Sequence, residues 1–250
     1  MNFLHDPDLK RAYVRRLFTI VAPRYALATS ALSFFRDKAW KKSLLNMTTP
    51  LESGDAVVDM ACGTGDITRL IARARPAVRI VGCDINPEML HIASGRLPLS
   101  GKAMVTMQDM TFLGFKNGSI DLVVGGYALR NAPDLGAVLQ ETVRILKAGG
   151  SAAFLDFSKS SVPLIAGLQT TALLLWGALW GFLLHGKPSV YAYIGRSLVA
   201  FPDRRRLLSL FDEAGFKMKC TLPRMFGLIR IDVLRKKEGE CGEDTGLRIS

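Results

Sequence analysis

The sequence predicts an α/β fold, a mostly parallel seven-stranded sheet with helices on both faces. Three observations predict it. Short apolar runs, each ending near Gly, Asp or Asn, recur at Ala56–Cys62, Arg79–Ile85, Ala103–Asp109, Ile120–Leu129 and Ser151–Phe157. Helix-like segments alternate with them: "ITRLIARA", "PEMLHIASGRL" and "DLGAVLQETVRILKAGG". Such alternation is the pattern of βαβ units, whose crossovers make neighbouring strands parallel. The runs are also apolar almost throughout, as strands covered on both faces require. Two later runs, Phe216–Leu222 and Phe226–Arg235, are expected to finish the sheet as antiparallel strands.

The flanking segments follow from the same reading. From Asp6 to about Leu45, apolar residues recur three and four apart around charges, so residues 1–50 read as a helical cover that Pro23 breaks or kinks. Thr49–Gly54 reads as a loop. Residues 51–236 form the main domain, with an apolar helical insertion at about 160–188. The polar, Gly-rich stretch 237–250 reads as a disordered tail.

The four cysteines show no CxxC pair and no Cys/His zinc spacing, so neither a disulfide framework nor a metal site is expected. Cys62, Cys83 and Cys220 read as small buried hydrophobes of a chain kept in a reducing cytoplasm. The formal net charge of +11 favours anionic partners. The cations are spread through "KRAYVRR", "WKK", "DRRR" and "RKK", with no RNA-binding aromatic motif, so nucleic acid is not expected. An anionic membrane surface suits them better, with a merely solvated basic surface as the plain alternative.

The chemistry should sit where the first strands end. "DMACGTGD" carries Asp59, Gly63, Thr64 and Gly65 in a strand-to-helix turn, where glycine lets a ligand approach the backbone. The dinucleotide fingerprint is incomplete, since its third glycine position is Thr68. Asp84, ending the second strand, is placed to accept from two ribose hydroxyls, which suits NAD and S-adenosylmethionine equally. The third strand breaks the tie: Asp109 can accept from an adenine amino group while Met110 packs on the ring. "LKAGG" reads as a helix end with a Gly turn. Together these favour a class I methyltransferase over a dehydrogenase.

The likeness goes further. "APRYALATSALSF", "VVDMACGTGD", "DINPEML", "FKNGSIDLVVGGYALRN", "RILKAGG", "DFSKS", "AYIGRSLVAFPD" and "LFDEAGF" occur in that order, over about Phe18 to Lys236. The chain resembles the ubiquinone/menaquinone C-methyltransferase family, which implies a Rossmann-like class I methyltransferase fold. The resemblance implies S-adenosyl-L-methionine as cofactor, contacted by Thr64, Asp84, Asp109, Met110 and Gly126, and a polyprenylated quinol as acceptor, demethylmenaquinol first. Gly126 stands where the family often has Ser. Tyr25 matches the Tyr of a segment that closes over the site, but Ala26 replaces the Asp that usually follows. Arg130 matches an Arg near the substrate, after Tyr127 and Ala128 in place of Phe-Gly. Asp156 replaces a Glu.

Methylation at a ring carbon needs a nucleophilic carbon, which loss of a phenolic proton supplies. Arg130 is thus expected to stabilise phenolate charge, and Asp109 or Tyr25 to accept a proton. A same-fold methyltransferase acting on another small or lipidic acceptor, or a non-catalytic relative, are the alternatives.

Leu164–Gly186 contains no ionisable residue other than His185. About 20 apolar residues suffice to span a bilayer as a helix. A single crossing would put the last strands and the first five on opposite sides, so the run is expected to line the acceptor pocket and to lie on the membrane peripherally. A homodimer is compatible with this reading.

Overall fold

The computed structural model describes residue 4, residues 6–98 and residues 102–238, so the tail expected at 237–250 lies outside the described residues beyond Glu238. Its strands are β1 (Ala56–Met60), β2 (Arg79–Asp84), β3 (Ala103–Met107), β4 (Ile120–Gly126), β5 (Leu146–Phe157), β6 (Phe216–Arg224) and β7 (Ile229–Lys236). They form one sheet in the order β3-β2-β1-β4-β5-β7-β6. The first five are parallel, and β7 lies antiparallel between β5 and β6. Strand order reverses between β1 and β4, which opens a crevice at their carboxyl ends, the usual ligand position in such sheets.

Both faces are covered. Val57 and Val124 point toward Ile67 and Ile71 of α4 (Asp66–Ala74) and Trp40 and Leu44 of α3 (Asp37–Met47). Val58, Met60 and Val123 point the other way, toward Leu139 of α6 (Leu135–Ile145) and Phe211 of α9 (Arg204–Glu213). The N-terminal cover is α1 (Pro7–Val21), α2 (Tyr25–Leu32) and α3; a short 3₁₀ turn at Ala22–Arg24 marks the break expected at Pro23. Val14, Leu17 and Val21 of α1 pack with Met89 of α5 (Pro87–Ser94) and with Val190 and Tyr193 of α8 (Ser189–Ala200).

Two expectations change. "LKAGG" is not a helix end with a Gly turn. α6 stops at Ile145 and β5 begins at Leu146, which pairs with Ile120 before the register shifts. The glycines serve that irregularity: Gly149 has φ +69°, and a Cβ on Gly150 would stand 3.0 Å from the Lys147 carbonyl oxygen. The insertion is also longer than 160–188, for α7 (Pro163–His185) folds back on α8, which ends at Ala200.

α7 starts with Pro at its first turn and ends at Gly186 in the left-handed region, φ +65°. It packs on α8 at close quarters, because a Cβ at Gly177 would lie 2.3 Å from the Tyr191 carbonyl oxygen. By length and composition α7 could cross a membrane. Yet β5 precedes it and β7 follows it, and these two strands pair from Ser151 to Phe157. A single crossing by α7 would separate these paired strands, so α7 does not span alone.

Candidate active site

The donor side is built at the tip of β1. There the chain turns through Ala61 (φ +54°) and Gly63 (φ +54°), and Gly65 (φ +74°) precedes α4. Gly65 must be small, since a Cβ there would meet the Ala93 Cβ at 3.0 Å. Asp84, at the end of β2, accepts from the Gly63 N–H at 2.8 Å and the Asn86 N–H at 2.9 Å. Burial raises its carboxyl above the usual range, against those backbone donors. Asp84, Gly63, Met110, Asp109 and Gly126 line one cleft.

Asp59 sits one layer deeper. Its Oδ2 accepts from the Thr68 N–H (2.9 Å) and hydroxyl (2.6 Å), so the residue that breaks the glycine fingerprint is the one that holds this carboxyl. Burial pushes Asp59 up to about 7. Its Oδ1 and the Thr64 hydroxyl are buried with no protein partner, and Asp59, Thr64, Lys41 and Asp66 line one small recess beside the cleft. Gly126 has its side-chain space filled by a neighbour, for a Cβ there would stand 2.9 Å from Ile67 Cδ1.

Asp109 accepts from the Thr111 N–H (2.8 Å) and hydroxyl (2.7 Å), and its Oδ2 lies 2.7 Å from Arg11 Nε of α1. It is thus fixed on the donor side and does not line the acceptor cavity, which removes it as a proton acceptor there. Sequence reasoning missed Arg11, which lies in a basic run 98 positions away and carries no motif.

The acceptor cavity, of about 340 Å³, lies between the cover, the sheet tips and the α7–α8 pair. Its wall is largely aromatic and aliphatic, and Arg130 is its only charged side chain among the described residues. Arg130 follows β4 in a 3₁₀ turn, Leu129–Asn131, whose backbone Asp156 holds by accepting the Arg130 N–H at 3.1 Å. The guanidinium lies over the rings of Phe157 (5.0 Å) and Tyr193 (5.7 Å) and donates to the Ser197 hydroxyl. It forms no ion pair among the described residues, and its Nε has no partner. The Asn131 Oδ1 is likewise buried and unpartnered. The buried Asp156 carboxyl attracts the guanidinium from beyond ion-pair distance, and a ligand bearing negative charge would offset more of the cost of burying it.

Tyr25 lines the cleft, the recess and the cavity alike, so it stands where donor and acceptor meet. Burial raises its phenol well above the usual value. At neutral pH it keeps its proton, which argues against its taking one from an acceptor. No carboxylate or histidine among the described residues lines the cavity. A cation such as Arg130 would favour a phenolate over a phenol placed beside it.

The donor side fits S-adenosylmethionine. Asp84 is placed for ribose hydroxyls, Met110 for the adenine face, and the unpartnered Asp59 and Thr64 atoms for the amino-acid end with Lys41 nearby. When bound, that cofactor supplies an activated methyl group on a sulfonium. Tyr25 and the cover would then stand between that methyl group and an acceptor in the cavity.

Fold and site together define a class I S-adenosylmethionine-dependent methyltransferase. Solved structures agree on the fold: a chain of the complex between the Haloferax volcanii Trm112 methyltransferase activator and a methyltransferase matches with TM-score 0.63 at 20% identity over 88% of this chain and 97% of that one. Geranyl diphosphate C-methyltransferase from Streptomyces coelicolor, in complex with S-adenosyl-L-homocysteine, matches with TM-score 0.61 at 13% identity over 79% and 78%. The model of the ubiE/COQ5 methyltransferase family matches residues 7–232, and the chain belongs to that family. Among relatives, the ubiquinone/menaquinone biosynthesis C-methyltransferase UbiE of Syntrophotalea carbinolica is 32% identical over 81% of this chain and 85% of its own. The demethylmenaquinone methyltransferase of Staphylococcus aureus is 27% identical over 84% and 88%.

Proposed function

We propose that the chain transfers the methyl group of S-adenosylmethionine to a ring carbon of a polyprenylated quinol precursor, demethylmenaquinol in the first instance. One observation carries this reading: Arg130 is the one charged side chain among the described residues that line an aromatic-walled cavity, and that cavity shares Tyr25 with the donor cleft. A phenolic head group would meet Arg130 and the Asn131 carbonyl, and an isoprenoid tail would meet the aliphatic wall. The departures from the family pattern do not oppose it. The Tyr127 hydroxyl is bound to Asp37, so it adds no free polar group to the cavity. The test is quinone profiling of a deletion strain. Loss of the methylated quinone with build-up of its demethyl form supports the reading, and an unchanged profile overturns it.

A further inference from the structure

The outward face of α7 has no partner among the described residues. Leu164, Leu168, Leu175, Leu179 and Phe182 are all exposed, Leu168 by 65% and Leu175 by 68%. Their spacing puts them on one stripe of the helix, about 30 Å long. The opposite stripe, Leu173, Gly177 and Gly181, is buried. A helix that is apolar all round is normally covered all round. Here half of it faces outward.

Two other segments carry the same feature. Phe34 (φ +51°) and Phe35 (φ +61°) close the turn after α2, and Phe226 (φ +53°) sits in the turn before β7. Phe35 is 76% exposed and Phe226 fully exposed. An aromatic side chain held outward on a left-handed backbone is disfavoured by its dihedrals and, in water, by its hydration. The three segments meet at one place. Phe34 stacks on Trp176 of α7 with ring centroids 4.9 Å apart, and Phe34, Trp176 and Met225 all line the acceptor cavity. Phe34 is also exposed, so the cavity reaches the outside beside it.

Charge identifies the occupant. Each apolar segment is flanked by cations: Arg36 and Lys38 after Phe35, Arg224 before Met225, and Lys187 after α7. None of these four forms an ion pair among the described residues. No acidic residue occurs from Val162 to Lys187. An exposed apolar stripe with aromatic tips and unpaired cations beside it matches an anionic bilayer, where rings enter the acyl boundary and cations meet headgroups. A self-pairing face would bring these like charges together.

We propose that the outer stripe of α7, Phe34 and Phe35, and Phe226 form one surface that inserts into the interface of an anionic lipid bilayer, with the acceptor cavity opening onto the lipid. The acceptor's tail then stays in hydrocarbon while its head reaches Arg130. This deepens the quinol reading, but the docking itself needs no acceptor and is tested without one.

The test is flotation of the full chain with quinol-free vesicles of phosphatidylcholine, with and without phosphatidylglycerol. Two double variants are compared, Leu168→Asp with Leu175→Asp, and Phe35→Asp with Phe226→Asp. None of these residues lines the cavity. The wild type is expected to float with the anionic vesicles, and less so at high salt. Bromine-labelled lipids are expected to quench its tryptophans, two of which, Trp176 and Trp180, lie on α7. Each double variant should lose at least tenfold in partitioning while keeping its circular dichroism and its affinity for S-adenosylmethionine. A wild type that stays unbound, or variants that float equally well, overturns the proposal. So does a dimer in sedimentation equilibrium that both double variants dissociate, with no vesicle binding, since it would assign the face to a second copy. Flotation succeeding while the quinone profile is unchanged would leave the surface standing and the acceptor wrong.

Discussion

The Tyr127 hydroxyl donates a 3.0 Å hydrogen bond to Asp37, joining the tip of the central sheet to the N-terminal cover. The contact begins a chain. Asp37 lies 2.7 Å from Lys41, Lys41 2.9 Å from Asp66, and Asp66 2.6 Å from Arg96. Burial works against the Lys41 ammonium, yet Asp37 and Asp66 hold its proton more tightly than usual. The network thus runs from the acceptor wall to the helix that follows the glycine turn. Tyr127→Phe is expected to lower stability by about 1 kcal/mol, seen as a fall of roughly 2–4 °C in the thermal midpoint by circular dichroism. Lys41→Met, which leaves the buried Asp37 carboxylate without its cation, should cost about 3 kcal/mol or more.

Arg130 is expected to act on the acceptor and not on the cofactor. Arg130→Ala should lower kcat by roughly 10²–10³, the scale of losing one charge-stabilising group. Calorimetry should show S-adenosylmethionine binding unchanged. Because Arg130 favours the phenolate, the rise of kcat with pH should move to higher pH in Arg130→Ala. Full turnover in the variant would remove Arg130 from the chemistry.

The sequence made the sheet legible because its strands are buried on both faces and therefore read as apolar runs. All seven are present, and the carboxylates at or near their ends, Asp84 and Asp109 in one cleft and Asp59 in the adjoining recess, lie on the donor side. The contacts across the fold were not legible. Lys41 reads as part of a surface run "WKK", yet it is 4% exposed between Asp37 and Asp66. Arg204 of "DRRR" pairs with the buried Asp232 at 2.6 Å, 28 positions away. Such pairs depend on which helix crosses which strand, and neither periodicity nor local spacing records that.

Asp59 supplies a pH signature. Its folded value of about 7 lies above the ordinary 3.8, so between those values only the folded chain keeps the proton. Stability without cofactor should therefore fall as pH rises through that window. An ammonium group placed beside the unpartnered Oδ1 favours the carboxylate, so binding of S-adenosylmethionine should release a proton below neutrality. Calorimetry at pH 6 in buffers of different ionisation enthalpy measures that release. Asp59→Asn should abolish it; equal release in the variant would place the proton elsewhere.

Gly126 tests whether the donor side has been reshaped around its departure from the family's usual Ser. A side chain there would collide with Ile67 Cδ1 at 2.9 Å. Ile67 is buried and β-branched, so it has few rotamers with which to yield. Gly126→Ser alone is expected to destabilise the fold by about 1–3 kcal/mol, as overpacking does. Ile67→Val removes only the colliding methyl, at about 0.5–1.5 kcal/mol. The two changes together should cost clearly less than their sum, because the second opens the space the first requires. Urea unfolding of the four proteins in the cycle gives the coupling directly. If it lies within about 0.5 kcal/mol of zero, Ile67 is not what keeps a side chain out of position 126. If the coupling is large and the double variant binds S-adenosylmethionine as the wild type does, Gly126 and Ile67 are one compensated pair, and the missing hydroxyl is not needed to hold the cofactor.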